Sequence, residues 1–157
     1  MRIVGGVLCT CALVLLGLTG CGGKGAIKTP DLVPVEGTIT MDDKPLAGAS
    51  VMLGTGSAFG ETDANGHYVL KAHGGKTGAP VGDFKVVVEK WVNPDGSVYR
   101  STEGISPMDA GARQLIPPQY SNTEKTELKA TVPAGGAKNI DFALKGGLAS
   151  PKPKAGP

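Results

Sequence analysis

The chain has 157 residues, with 16 Lys and Arg against 14 Asp and Glu and a formal charge of +2. That near balance excludes the basic face with which a protein holds nucleic acid. With 25 Gly, 12 Pro and only 4% aromatic residues, the composition favours short strands joined by turns over helices, around a core of Val, Leu and Ile.

At the N-terminus Arg2 supplies a small positive region, residues 3–18 carry no charge, and Leu18-Thr19-Gly20-Cys21 follows. This order is that of a secretory signal. The last four residues resemble a bacterial lipobox, cut between Gly20 and Cys21 and acylated on the Cys21 sulfur. A spanning helix needs roughly 20 apolar residues. The run here is shorter and is broken by Gly5, Gly6 and Gly17, so a permanent helical anchor is the weaker reading. Each buried methylene of an acyl chain contributes about 0.8 kcal/mol, so several chains hold firmly where one does not.

The 3 Cys fit this scheme. Cys9 and Cys11 leave with the signal and Cys21 carries lipid, which leaves no thiol for a disulfide or a thiolate metal site. A chain without thiols suits an oxidising compartment, having nothing to mispair. Gly22 is not the Asp that retains some lipoproteins at the inner membrane, so the outer membrane is favoured. Loss of Arg2 leaves 15 basic against 14 acidic residues, a formal +1.

Gly22 to Asp31 has little to bury and reads as a flexible tether. From Val33 the period becomes two: Val35, Gly37, Ile39 and Met41 alternate with Glu36, Thr38 and Thr40, as in a half-buried strand. Asp42-Asp43-Lys44-Pro45 reads as a turn. Ala49, Val51 and Leu53 form the next strand, and Gly54 to Gly60 a loose connection. Thr62-Asp63-Ala64-Asn65-Gly66 is a second turn, since Asn-Gly tolerates the positive φ of tight hairpins. Tyr68 and Leu70 follow on a strand, then a loop over residues 71–80.

Residues 84–91 form the strongest strand, with Phe84, Val86 and Val88 facing the core. Residues 93–121 carry four prolines and the turn Asn93-Pro94-Asp95-Gly96, and read as a long irregular loop. Leu128, Ala130 and Val132 alternate again, Pro133 to Gly136 is a turn, and Ile140, Phe142 and Leu144 form the last strand. Pro151-Lys152-Pro153-Lys154 marks a basic, disordered tail. The expected organisation is a signal peptide over 1–20, a tether over 21–32, a sandwich over 33–145 and a tail over 146–157. No helical period is visible after the signal, and about seven short strands with turns between them describe an all-β, Greek-key-type sandwich of the Ig-like sort.

Val35-Glu36-Gly37-Thr38-Ile39-Thr40, Lys44-Pro45-Leu46-Ala47-Gly48-Ala49-Ser50-Val51, Thr62-Asp63-Ala64-Asn65-Gly66-His67-Tyr68 and Gly82-Asp83-Phe84-Lys85-Val86 together resemble carboxypeptidase regulatory-like domains. Leu115-Ile116-Pro117-Pro118-Gln119-Tyr120 and Asn139-Ile140-Asp141-Phe142-Ala143-Leu144 look like segments of small planctomycete lipoproteins that carry this domain. The resemblance spans residues 33–144. It implies a transthyretin-like sandwich acting as an accessory, stabilising or interaction module, and it implies no catalytic residue, because the shared positions are structural.

The residues themselves set out no catalytic constellation. His67 and His73, the only histidines, read as solvated, and no Gly-x-Ser-x-Gly elbow is present. Asp63 reads as a turn cap rather than a calcium ligand, because the bidentate Glu that closes an EF-hand loop is replaced by Gly74. A two-His zinc site with Asp63 falls short of the usual ligand set. Gly54-x-Gly56 precedes no helix and is no phosphate loop. No cofactor and no metal are expected. Trp91 lies on the opposite parity from Phe84 and Val88, which leaves it either covered by the long loop or exposed to a sugar or protein partner.

The expected function is that of a lipid-anchored, non-enzymatic binding or structural module of the cell envelope, outside the cytoplasm, with membrane lipid as a partner through Cys21. The second reading is a carbohydrate- or peptidoglycan-binding module using Trp91, Tyr99 and Tyr120 around the long loop. A hydrolase is the remote third: the mature chain holds only Arg100 and Arg113 beside its two histidines.

Overall fold

The computed structural model describes residues 31–100 and 104–146. The expected signal with Gly20, the expected acylation site Cys21, nearly all of the expected tether and the residues beyond Gly146 lie outside the described residues. No helix among the described residues is long and apolar enough to cross a membrane.

The protein is an all-β sandwich. Its strands in chain order are β1 (Leu32–Val33), β2 (Glu36–Met41), β3 (Lys44–Pro45), β4 (Ser50–Leu53), β5 (Ala58–Glu61), β6 (His67–Val69) and β7 (Lys71–Ala72). Then come β8 (Ala79–Pro80), β9 (Gly82–Glu89), β10 (Trp91–Val92), β11 (Arg113–Gln114), the short helix α1 (Pro118–Ser121), β12 (Lys129–Val132) and β13 (Phe142–Leu144). The two larger sheets have the orders β12-β9-β4-β5-β7 and β13-β2-β3, with β6 also on β2, while β1 pairs with β8 and β10 with β11 in two-stranded sheets. Among the described residues strand pairing is antiparallel except along β2, where β13 runs parallel and a parallel bridge joins Val35 to Ala137 ahead of it.

β2 shows why these residues make a sandwich. Val35, Gly37, Ile39 and Met41 are buried and the residues between them are not, so one face of the strand is apolar. β4 and β9 bring Val51, Leu53, Val86 and Val88 from the opposite sheet into the same cluster, and β12 and β13 add Ala130, Val132 and Leu144. Each of the larger side chains, fully buried, contributes about 1.5–3 kcal/mol.

Two glycines meet specific demands. A Cβ on Gly37 would stand 2.0 Å from the Ile140 carbonyl oxygen, so the segment leading into β13 can lie this close along β2 only at a glycine. Gly66 has φ +76°, and a Cβ there would stand 2.4 Å from the Ile39 carbonyl oxygen.

The turns depart from simple hairpin reading at several places. Asp42 and Asp43 both have positive φ, 49° and 64°, the conformation of a type I′ turn between β2 and β3. Pro45 lies in β3 rather than in the turn. Residues 54–60 hold a tight turn and then β5, not a loose connection, because β5 finds β4 as a partner along its whole length. The Asp63–Gly66 turn is formed as expected, but it joins strands of different sheets. β5 pairs with β4 and β7, whereas β6 pairs with β2. Residues 67–72 are therefore one extended stretch that changes sheets at Leu70, where the N–H of Leu70 donates to Val35 and its C=O accepts from Gly78. The region read as a loop over 71–80 contains β7 and β8.

Residues 93–121 are mostly irregular, as expected, yet they are tied to the sheet. β11 pairs with β10, and α1, the one helix of the described residues, lies against β9. Pro118 at the first helical position supplies a φ already suited to that turn. Past the helix, Thr126 Oγ1 donates to Val86 C=O at 2.6 Å, and Lys85 Nζ donates to the carbonyls of Thr123 and Glu124. This cover is why Val87, on the outward parity of β9, is buried like Val86 and Val88.

Candidate functional site

The outer face of the five-stranded sheet carries the site. Glu89 lies opposite Ser50, and Ser50 lies opposite Glu61, so the three stand in one row across β9, β4 and β5. Their inward neighbours Val88, Val51 and Gly60 form the next row, which faces the core side. Two strand spacings separate the two acids, about 9–10 Å between backbones.

Trp91 extends this face beyond Glu89. Its Nε1 donates to Glu89 Oε2 at 3.2 Å. The chain then turns back at Asn93–Ser97, where Asp95 Oδ1 accepts from the Ser97 N–H and Oγ–H, and these bonds lower the Asp95 carboxyl pKa. The return brings Val98 against Val92 and lets the Tyr99 N–H donate to Trp91 C=O at 2.9 Å. Arg100, next in line, reaches across to Glu61 Oε1 at 2.5 Å.

The result is a cleft of about 420 Å³ with Ser50, Glu61 and Glu89 on its floor and Trp91, Tyr99, Arg100 and Pro107 around it. Its size is that of a small-ligand site. Tyr99 holds the rim in place by donating its hydroxyl to the Ile105 C=O. Beyond the rim Met108 is 77% exposed. Lys90, between Glu89 and Trp91 in sequence, is not part of the lining, and partial burial lowers its ammonium pKa.

Trp91 is half-buried, between the two outcomes the sequence left open: part of the long segment folds beside it without closing over it. Trp91 and Tyr99 share the cleft. Tyr120 does not: it sits on α1, packs against the core and accepts the Lys145 N–H through its hydroxyl. The expected trio is thus a pair plus a structural tyrosine. Sequence reading missed Ser50, Glu61, Glu89 and Arg100. The outward parity of Glu89 was readable from Phe84-x-Val86-x-Val88, but its neighbours depend on the register of three strands.

Asp63 is the turn cap expected: its Oδ1 accepts from the N–H groups of Asn65 and His67 at 2.8 and 2.9 Å. His67 stands 3.7 Å from Glu36 and His73 lies beside the Phe59 ring, so neither histidine neighbours Ser50 in the cleft. Among the described residues no group of three His, Cys, Asp or Glu side chains is placed to hold a metal ion. Chemically, the cleft offers aromatic surface, hydrogen-bond acceptors and one guanidinium already paired with a carboxylate. No family model, curated protein or solved structure matches the chain.

Proposed function

We propose that this protein is a lipid-anchored, non-enzymatic module of the bacterial cell envelope, a sandwich of the carboxypeptidase regulatory-like kind that binds its partner through the Trp91–Tyr99 cleft. The observation that carries the binding role is the convergence of two half-buried aromatic rings and a polar row in one cleft on a rigid sheet. Ser50, Glu61, Glu89 and Trp91 stand on strands, which hold side chains more accurately than loops do. The lipobox at Leu18 to Cys21 supports the anchor, the lack of thiols after Cys21 suits an extracytoplasmic location, and Gly22 in place of Asp favours the outer membrane.

A glycan is the partner class that the pairing of Trp91 with Tyr99 favours. Aromatic rings stack on the apolar faces of sugars, while carboxylates and hydroxyls take the hydroxyl groups. Two measurements test the reading. Labelled palmitate is expected in the wild type and absent from Cys21→Ala; label retained in the variant removes the anchor. Purified cell wall is expected to pull down the wild type but little Trp91→Ala, and equal recovery of the two removes the cleft as the site.

A further inference from the structure

The cleft is unbalanced in charge. Of its two carboxylates, Glu61 is matched by Arg100. Glu89 has no cation beside it among the described residues; its one side-chain bond is the Trp91 Nε1–H on Oε2. That bond pins the carboxylate beside the indole and leaves Oε1 without a hydrogen-bond partner among the described residues. Ser50, next along the row, brings no charge.

Resting on the reading of this cleft as a glycan site, we infer that its ligand is a saccharide bearing a free ammonium group, with the ammonium seated on Glu89 beside the Trp91 and Tyr99 rings. A neutral sugar hydroxyl also donates to a carboxylate, but a charged donor makes a shorter bond about twice as strong. Arg100 cannot supply that charge, since it is held on Glu61 across the cleft floor. The rest of the sugar meets Ser50, Glu61 and Arg100 through its hydroxyls.

The test is calorimetric titration of the full-length protein, anchor held in detergent, with three tetrasaccharides: β-1,4-linked glucosamine, its fully N-acetylated form and cellotetraose. Glucosamine tetramer is expected to bind about tenfold more tightly than the other two. The preference is expected to fade as pH rises through the sugar amine's pKa and to shrink at high salt. Glu89→Gln, which keeps an acceptor for Trp91 Nε1, is expected to weaken glucosamine tetramer about tenfold more than the acetylated form, so that the preference between them is lost. Glu127→Gln, an exposed acid outside the cleft lining, is the control for general charge attraction. Equal binding of the three sugars, or equal losses in Glu89→Gln and Glu127→Gln, overturns the ammonium inference and leaves the glycan site standing. Binding of none of the three, or of a lysine-rich peptide in their place, overturns both.

Discussion

Tyr68 shows how one side chain joins the two ends of the domain. Its ring is buried in the core and its hydroxyl donates to Ile140 C=O at 2.6 Å, beside the glycine that lets that segment lie close along β2. Burial, and secondarily the Asp141 carboxylate, push the phenol pKa well above its ordinary value. An unfolded tyrosine loses its proton near pH 10, whereas the folded one keeps it. The folded state is therefore fully favoured by this group below about pH 10 and loses that advantage as pH rises further. Urea titrations of wild type and Tyr68→Phe are expected to show a cost of about 1 kcal/mol for the variant at neutral pH. That gap should narrow above about pH 10, because phenylalanine has no proton to lose; a gap independent of pH contradicts the account. Tyr68 was readable as a core residue from its alternation with His67 and Val69. Its hydroxyl partner, 72 residues away, was not.

Among elements, the β2–β3 turn sets two effects against each other. Asp43 sits at φ 64°, where a side chain costs about 1–2 kcal/mol, less for Asp than for most residues. It also pairs with Lys145 at 2.8 Å, which raises the Lys145 pKa. Both partners are exposed, and such pairs contribute about 0–1 kcal/mol. The backbone term is the larger, so Asp43→Gly is expected to stabilise the protein by about 0.5 kcal/mol, read as a higher urea midpoint with an unchanged slope. A lower midpoint means that the ion pair outweighs the turn. The Asn65-Gly66 turn teaches a related lesson. Gly66 takes the positive φ that its sequence announces, yet the turn feeds a strand into the other sheet, because Leu70 and Tyr68 find their buried positions against β2. A turn signal specifies a local bend and not which strand will lie alongside.

At the scale of the molecule, β13 closes the fold by pairing in parallel with β2, about a hundred residues earlier in the chain. Leu144 at its end is fully buried. Leu144→Ala is expected to cost about 2–5 kcal/mol, a large share of the roughly 5–15 kcal/mol that holds a domain together. Circular dichroism melts and limited proteolysis measure it; a melting temperature within a degree of wild type shows that the strand is dispensable. The alternation of Val35 to Met41, of Phe84 to Val88 and of Leu128 to Val132 determined, from the sequence alone, that the protein is an all-β sandwich with one apolar core, because period two gives each of these strands an apolar face to turn inward. The lipobox reading at Cys21 likewise needs only adjacent residues. What the tertiary structure alone decided is the cleft: Glu61, Ser50 and Glu89 become neighbours through the register of β5, β4 and β9, and Arg100 meets Glu61 only because the chain doubles back after Trp91. Register arises from packing between segments distant in sequence, and no local pattern encodes it.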